Sequence, residues 1–212
     1  MSTPQLPAPL VQRPLAWLFF SGALLSVPLM ATLYHPPARA LPQFGALPAF
    51  SLTDEAGQPF TRRELTGHVW VVDFVFTSCS SICPRLTTEM QRLTVRAADQ
   101  TDLRFLSISV DPLHDTPEKL QTYAKNFGAD LRRWKWLTGS VQEIEQTVVG
   151  GFKMALEKAP IAGSDNFNIL HSSKFALVDT QGNLRGFYDS NTPRDRDALL
   201  ADARALIEKG GF

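Results

Sequence analysis

The residues with the clearest chemical potential are the two cysteines of this 212-residue chain, Cys79 and Cys83. Side chains four residues apart share one face of a helix at about 6 Å, so the two sulfurs could form a disulfide or bind one metal ion. A disulfide that closes so short a loop removes little entropy from the unfolded chain. The spacing therefore favours a functional pair over a purely structural cross-link.

The residue after the second cysteine suggests how the pair is activated. Cys83 directly precedes Pro84, which is well suited to be the first residue of a helix. A helix N-terminus stabilises negative charge, so we expect the pKa of the Cys83 thiol to be lowered. Two thiolates leave the coordination shell of a soft metal ion incomplete, and a neutral imidazole is a natural third ligand.

Four histidines could supply that imidazole. His35 lies in a proline-rich segment and His68 precedes a predicted strand, and we expect both to be solvated. His114 follows a second predicted strand, but the neighbouring Asp115 favours a hydrogen bond within the loop. His171 ends a polar loop and comes just before another predicted strand. It is the best candidate for a ligand, although a single histidine is more often structural.

The elements that must position these residues are typical of an α/β protein. Residues 69–76 (VWVVDFVF) form a continuous apolar run, as in a strand buried on both faces, and lead directly to the cysteines. The other predicted elements are strands at 103–110 and 136–138, a hairpin of 175–178 and 184–188, and helices at 84–97, 116–127, 141–149 and 193–208. This order predicts a parallel sheet with an antiparallel edge, whose ligands bind beyond the carboxyl ends of the strands.

The N-terminal segment predicts export. Residues 15–33 are almost wholly apolar and, at about 20 residues, are long enough to cross a bilayer. We divide the chain into a tail at 1–13, a transmembrane helix or signal anchor at 14–34, a proline-rich linker at 35–48 and an exported domain at 49–212. The alternative is a signal cleaved after Ala40, because residues 38–40 (ARA) match the small-x-small pattern. Either interpretation places the cysteines in an oxidising compartment such as the periplasm.

Composition excludes two classes of protein. The chain has 21 basic and 21 acidic side chains, and residues 41–212 carry 19 and 21 of them. A nucleic-acid-binding protein would show a basic excess, so no nucleic-acid partner is expected. Two cysteines are too few for a small disulfide scaffold.

Several motifs, in this order, resemble the Sco/SenC family. They are FTSCSSICP at 76–84, SVDP at 109–112, DTP at 115–117, LTG at 137–139, and HS at 171–172 ahead of VD at 178–179 and Gly182. The resemblance covers residues 45–207, and the apolar segment before them also fits the family. It implies a thioredoxin-like fold, in which helices flank a central mixed sheet.

The same resemblance implies a copper chaperone that delivers copper to the dinuclear copper site of cytochrome c oxidase subunit II. The copper ligands of the family map onto Cys79, Cys83 and His171, and an acidic residue close to the ligands maps onto Asp111. The cargo would be Cu(I), or Cu(II) with an added donor, and loading would depend on the redox state of the two cysteines. Further partners would be an upstream copper donor, a thiol reductant and the membrane.

Some positions depart from the family pattern. Leu170 stands where many members have an acidic residue, and His114 stands where an arginine is common. The rival interpretation is a membrane-tethered thiol–disulfide oxidoreductase, which would use the same cysteines without a metal. A peroxidase is disfavoured, because no motif places an arginine to polarise the peroxide.

Overall fold

The computed structural model describes residues 41–154, 156–158, 167–169 and 173–210. The strands are β1 (Gly45–Ala46), β2 (Ser51–Asp54), β3 (Pro59–Thr61), β4 (Val69–Val75), β5 (Leu103–Ser109), β6 (Trp134–Thr138), β7 (Leu156–Lys158), β8 (Phe167–Ile169), β9 (Lys174–Val178) and β10 (Asn183–Asp189). The helices are α1 (Ile82–Arg96), α2 (Pro117–Asn126), α3 (Val141–Glu145) and α4 (Pro193–Gly210), with a 3-10 helix at Arg62–Leu65 and a π-helix at Gln146–Gly151.

Eight strands form one mixed sheet in the order β1-β10-β9-β4-β5-β6-β2-β3. The central strands β4, β5 and β6 are parallel, and the strands on either side of them pair antiparallel. The predicted parallel sheet is therefore confirmed, with antiparallel strands at both edges rather than one. Strands β7 and β8 pair separately.

Alternate side chains of β4 enter two different cores, which explains why the strand is apolar throughout. One core contains Val71 and Val75 together with both cysteines and apolar residues of α1 and α4. The other contains Val72 and Phe74. Because β4 is buried on both sides, its carboxyl end is a firm support for the loop that carries the first cysteine.

Local sequence sets where the helices beside the cysteines begin. Helix α1 begins at Ile82, so Pro84 is its third residue and Cys83 lies inside its first turn. Helix α2 follows the N-cap Thr116, whose hydroxyl accepts a hydrogen bond from the Lys119 backbone N–H, and Pro117 is its first residue.

Several features were not predicted. Strands β2 and β3 form a short antiparallel pair before β4. Strand β1 lies in the segment predicted to be a linker, where Leu47 is also buried. The single helix predicted at 141–149 is instead the short α3 continued by the π-helix.

Within the residues described above, no helix is long and apolar enough to span a membrane. The predicted anchor at 14–34 lies outside those residues.

Candidate metal centre

The two cysteines lie at the carboxyl end of β4, as the sequence predicts. Cys79 is in the loop between β4 and α1, and Cys83 is the second residue of α1. The loop turns tightly, because the Cys79 N–H donates to the Phe76 carbonyl at 3.2 Å. Both cysteines are free thiols, and their exposed fractions are 9% for Cys79 and 3% for Cys83.

The helix directs its first-turn N–H groups at the sulfur of Cys79. The Cys83 backbone N–H donates to Cys79 Sγ at 3.4 Å, and the Ser81 hydroxyl lies 3.9 Å from the same sulfur. Burial alone would raise the pKa of Cys79, but hydrogen bonds from the Cys83 thiol and from the backbone N–H groups of Cys83, Ser81 and Ile82 outweigh it. The pKa of Cys79 is therefore lower than that of an ordinary thiol.

The expectation of a lowered pKa at Cys83 is wrong. Burial raises the pKa of the Cys83 thiol well above its ordinary range, and the hydrogen bond that this thiol gives to Cys79 raises it further. The physical reason is the direction of the helix N–H groups, which point back toward Cys79, whereas Cys83 is the more deeply buried of the two thiols. The thiol with the lowered pKa is therefore Cys79, not Cys83 as the sequence predicted.

A buried carboxyl group lies on the cysteine side of the sheet. Asp73 is fully buried in β4, on the same face as Val71 and Val75. Burial raises its pKa to about 7, and the neighbouring Ser107 hydroxyl offsets only part of this shift. Its charge also raises the pKa of Cys83. Sequence reasoning did not single out Asp73, although it is the one charged residue in an otherwise apolar strand.

Asp111 and His114 form a pair at the carboxyl end of β5. His114 Nδ1 lies 2.7 Å from Asp111 Oδ1, and the Asp111 side chain is buried while the His114 ring is exposed. The expected hydrogen bond of His114 to Asp115 is therefore replaced by one to Asp111. Within the described part of the chain, no hydrogen bond joins Asp111 to the cysteine loop, and its Oδ2 has no hydrogen-bond partner.

Asp115 is the acidic residue that contacts the cysteine loop. It is fully buried, and its carboxylate accepts hydrogen bonds from the backbone N–H and the hydroxyl of Thr77. It also accepts one from the Ser109 hydroxyl. Sequence reasoning missed this role. The available signal was that Asp115 directly precedes a Thr-Pro helix start at the same sheet edge as the cysteines.

The remaining histidine candidates are His35, His68 and His171. His68 lies at the start of β4, away from the cysteines, and it is half-buried against Trp70 rather than solvated, at 6.5 Å between ring centroids. His35 and His171 lie outside the described residues. In the part of the chain that is described, no group of three or more His, Cys, Asp or Glu side chains could hold a metal ion.

The two sulfurs alone fit a thiophilic metal. Thiolates select soft ions such as Cu(I) and Zn²⁺ over Mg²⁺ or Ca²⁺. One sulfur already has a lowered pKa, and a bound cation would favour loss of the proton from the other. The pair is therefore a two-ligand half-site that needs a further donor.

Comparison with known proteins places this arrangement in a family. The SCO1/SenC family model matches residues 40–208. The chain is 36% identical over 160 residues to the SCO1 protein homolog of Bacillus subtilis, across 74% of this chain and 80% of that protein. It is 32% identical over 149 residues to a putative copper-binding protein of Stutzerimonas stutzeri, across 69% of this chain and 70% of that one.

Solved structures of similar proteins confirm the predicted thioredoxin-like fold. BsSco, a member of the Sco family of cytochrome c oxidase assembly proteins with an identified disulfide switch, superposes with a TM-score of 0.69 at 31% identity, covering 80% of this chain and 98% of BsSco. Copper-bound ScoI of Arabidopsis thaliana superposes with a TM-score of 0.63 at 26% identity, covering 77% and 99%. With the family model matching most of its length, this chain belongs to the SCO1/SenC family.

Proposed function

We propose that this protein binds copper through Cys79 and Cys83 and delivers it during assembly of cytochrome c oxidase. The observation that carries the proposal is the pair of free thiols at the strand end, in which the Cys83 N–H lies 3.4 Å from Cys79 Sγ. The relatives' copper binding and oxidase assembly support the same function here.

The chemistry of the pair suits Cu(I). Two thiolates and one Cu(I) ion carry a net charge of −1, which the first-turn N–H groups of α1 partly offset. Loading would release the Cys83 proton, since this thiol stays protonated in the metal-free protein. With a water or another donor added, the same ligands could hold Cu(II).

We propose His171 as the third ligand, on the basis of the family pattern. Among the described residues, no third Cys, His, Asp or Glu is placed with the two sulfurs so that the three could hold a metal ion. Strand β9, which follows His171 in the sequence, begins at the same sheet edge as the cysteines. Asp111 would act outside the ligand set.

The proposal also covers the copper acceptor and the cellular location of the protein. We propose that the acceptor is the dinuclear copper site of oxidase subunit II, reached by exchange of ligands with its own Cys and His side chains. An upstream donor would supply copper, and a thiol reductant would keep the cysteines reduced. Residues 14–34 would anchor the domain on the periplasmic face of the membrane, or a cleaved signal would leave it soluble there.

The test is copper binding by the full chain in mild detergent under anaerobic, reducing conditions. We expect about one Cu(I) per chain, retained against a competing Cu(I) chelator. Cys79→Ser and Cys83→Ser should lose this copper, and His171→Ala should hold it more weakly. His114→Ala is the matched control, because this exposed imidazole pairs with Asp111 instead.

The outcomes test the copper function and the third ligand separately. Failure of the wild-type chain to retain Cu(I) would refute the copper function. Equal affinities of His171→Ala and His114→Ala would refute the third ligand and leave the two thiols in place.

One observation favours a second candidate function, a thiol–disulfide oxidoreductase. The pKa of Cys79 is lowered while that of Cys83 is raised, as expected for an attacking thiolate and a protonated resolving thiol. Cys79 would attack a partner disulfide, and Cys83 would then release the reduced partner as the Cys79–Cys83 disulfide forms. Turnover of a disulfide substrate that is abolished in Cys79→Ser and unchanged in His171→Ala would support this activity.

A further inference from the structure

We propose that Asp115 is a positioning residue that holds the cysteine loop in its copper-binding conformation. This inference rests on the proposed copper function, and it concerns a residue outside the predicted ligand set. Asp115 would act through Thr77 rather than by contacting the metal.

The contacts of Asp115 are directed at one point of the loop. Its Oδ2 accepts a hydrogen bond from the Thr77 backbone N–H at 3.0 Å, and its Oδ1 accepts one from the Thr77 hydroxyl at 2.5 Å. Both the backbone and the side chain of Thr77 are therefore fixed by a single carboxylate. Hydrogen bonds to an ionised acceptor are stronger than those between neutral groups.

Thr77 is the residue whose position controls Cys79. Thr77 lies within the turn of residues 76–79, which is closed by the hydrogen bond from the Cys79 N–H to the Phe76 carbonyl. A shift of Thr77 would therefore move Cys79 relative to the first turn of α1, where the Cys83 N–H meets its sulfur. The affinity for a copper ion bound between two sulfurs depends on the distance between them. The position of this turn therefore affects the copper affinity of the site.

The carboxylate is itself held firmly. Its Oδ2 accepts a hydrogen bond from the Ser109 hydroxyl at 2.5 Å, and Ser109 pairs with Val75 at the ends of β5 and β4. The Asp115 N–H donates to the Asp111 carbonyl at 2.9 Å, and α2 begins two residues later. Asp115 thus links the cysteine loop to the end of a neighbouring buried strand.

The test compares Asp115→Asn and Thr77→Val with wild type in the full chain. Residues that orient metal ligands typically change metal affinity by about 10- to 100-fold when they are replaced. We expect Asp115→Asn to bind Cu(I) about tenfold more weakly in chelator competition. Thr77→Val, which replaces the hydroxyl with a methyl group and keeps the backbone N–H, should weaken binding in the same direction, and Thr77→Ser should restore it. If Asp115→Asn does not fold, Thr77→Val still tests the positioning role.

Asp179→Asn is the control for a general loss of stability. Asp179 is also buried and accepts backbone hydrogen bonds, from Gln181 at 3.0 Å and Asn183 at 2.9 Å. It lies at the opposite end of the sheet, since the preceding Val178 pairs with Trp70 near the start of β4. We expect its replacement to leave copper affinity unchanged.

A second readout needs no copper. The Cys79–Cys83 disulfide of the metal-free protein accepts two electrons and two protons from dithiothreitol, which becomes a cyclic disulfide. We expect closure of the disulfide to displace this turn and weaken the Asp115 contacts, so their loss should shift the equilibrium toward the protein disulfide in Asp115→Asn and not in Asp179→Asn. If wild type binds no copper, the copper function fails while this measurement still tests Asp115. An unchanged thiol–disulfide equilibrium in both Asp115→Asn and Thr77→Val would overturn the positioning role.

Discussion

The backbone N–H of Cys83 points at the sulfur of Cys79, with 3.4 Å between the nitrogen and the sulfur. First-turn N–H groups have no partner within their own helix, so they stabilise negative charge on the residues just before it. These N–H groups therefore lower the pKa of Cys79 in the loop, while Cys83, the more deeply buried thiol, has a raised pKa. Two thiols that look equivalent in the sequence become chemically different.

This asymmetry predicts unequal alkylation. In the reduced, metal-free protein near neutral pH, we expect iodoacetamide to modify Cys79 at least about tenfold faster than Cys83, because the thiolate is the nucleophile. Peptide mass spectrometry over a time course measures both rates. In Cys79→Ser, the remaining Cys83 should stay slow. A Cys83 that reacts as fast as Cys79 would contradict the assignment.

The buried carboxyl of Asp73 predicts an unusual dependence of stability on pH. Its pKa is about 7 in the folded protein and about 4 in the unfolded chain. Between these values the unfolded chain loses the proton and the folded protein keeps it, so the Asp73 contribution to stability falls as pH rises. The difference between these two pKa values corresponds to about 4 kcal/mol. Asp73→Asn should be more stable than wild type above pH 7 and similar to it below pH 4.

Urea denaturation across this pH range measures the difference between variant and wild type. Asp179→Asn is a control for which we expect the opposite dependence of stability on pH. Burial alone would raise the pKa of Asp179, but the Asn183 N–H and the Arg185 guanidinium outweigh it and lower the pKa. Asp179 therefore adds stability at neutral pH that is lost as pH falls through its folded pKa. A stability difference between Asp73→Asn and wild type that does not change with pH would refute a raised pKa at Asp73.

Sequence patterns predicted the elements whose signals are local. The apolar run of β4 and the Thr116-Pro117 helix start needed no knowledge of the fold, because burial on both faces and helix capping leave a direct trace in composition. The position of the cysteines at a strand end followed from these elements. The β2–β3 pair escaped prediction because its strands have only four and three residues.

The chemistry of the site depended on contacts that spacing cannot show. Asp111 and Asp115 are equally plausible neighbours of the cysteines in the sequence, yet only Asp115 reaches Thr77, 38 residues earlier in the chain. The pKa order of Cys79 and Cys83 likewise follows from which sulfur accepts the hydrogen bonds of the helix start and from the deeper burial of Cys83. Such distinctions arise from tertiary packing, whereas motifs identify only the residue types.

Arg133 predicts a large effect on stability from a residue without a catalytic role. Its guanidinium donates to four backbone carbonyls where α1 ends and β5 begins, those of Ala97, Ala98, Gln100 and Leu103. Arg133→Ala would remove these hydrogen bonds from a charged donor and should lower the free energy of unfolding by about 2–3 kcal/mol. Arg133→Lys should not restore it, because one ammonium group cannot reproduce the planar fork.

The neighbouring Arg132 offers a matched control. Its side chain is 88% exposed and pairs with Asp130 on the surface. Arg132→Ala should give no measurable change in urea denaturation, because exposed ion pairs are largely screened by solvent. Equal effects of the two alanine variants would show that the carbonyl contacts of Arg133 do not stabilise the fold.

The last prediction concerns the redox state of the cysteines and follows from the two-sulfur site. Oxidation to a disulfide removes two electrons and two protons and leaves neither sulfur as a thiolate ligand. Protein oxidised with tetrathionate should therefore take up little Cu(I) from a buffered chelator complex, and prior reduction with dithiothreitol should restore uptake. Cys79→Ser, which cannot form the disulfide, should bind weakly whether or not it is treated. Undiminished uptake by fully oxidised wild type, with the disulfide verified by mass spectrometry, would show that copper binds elsewhere on the chain.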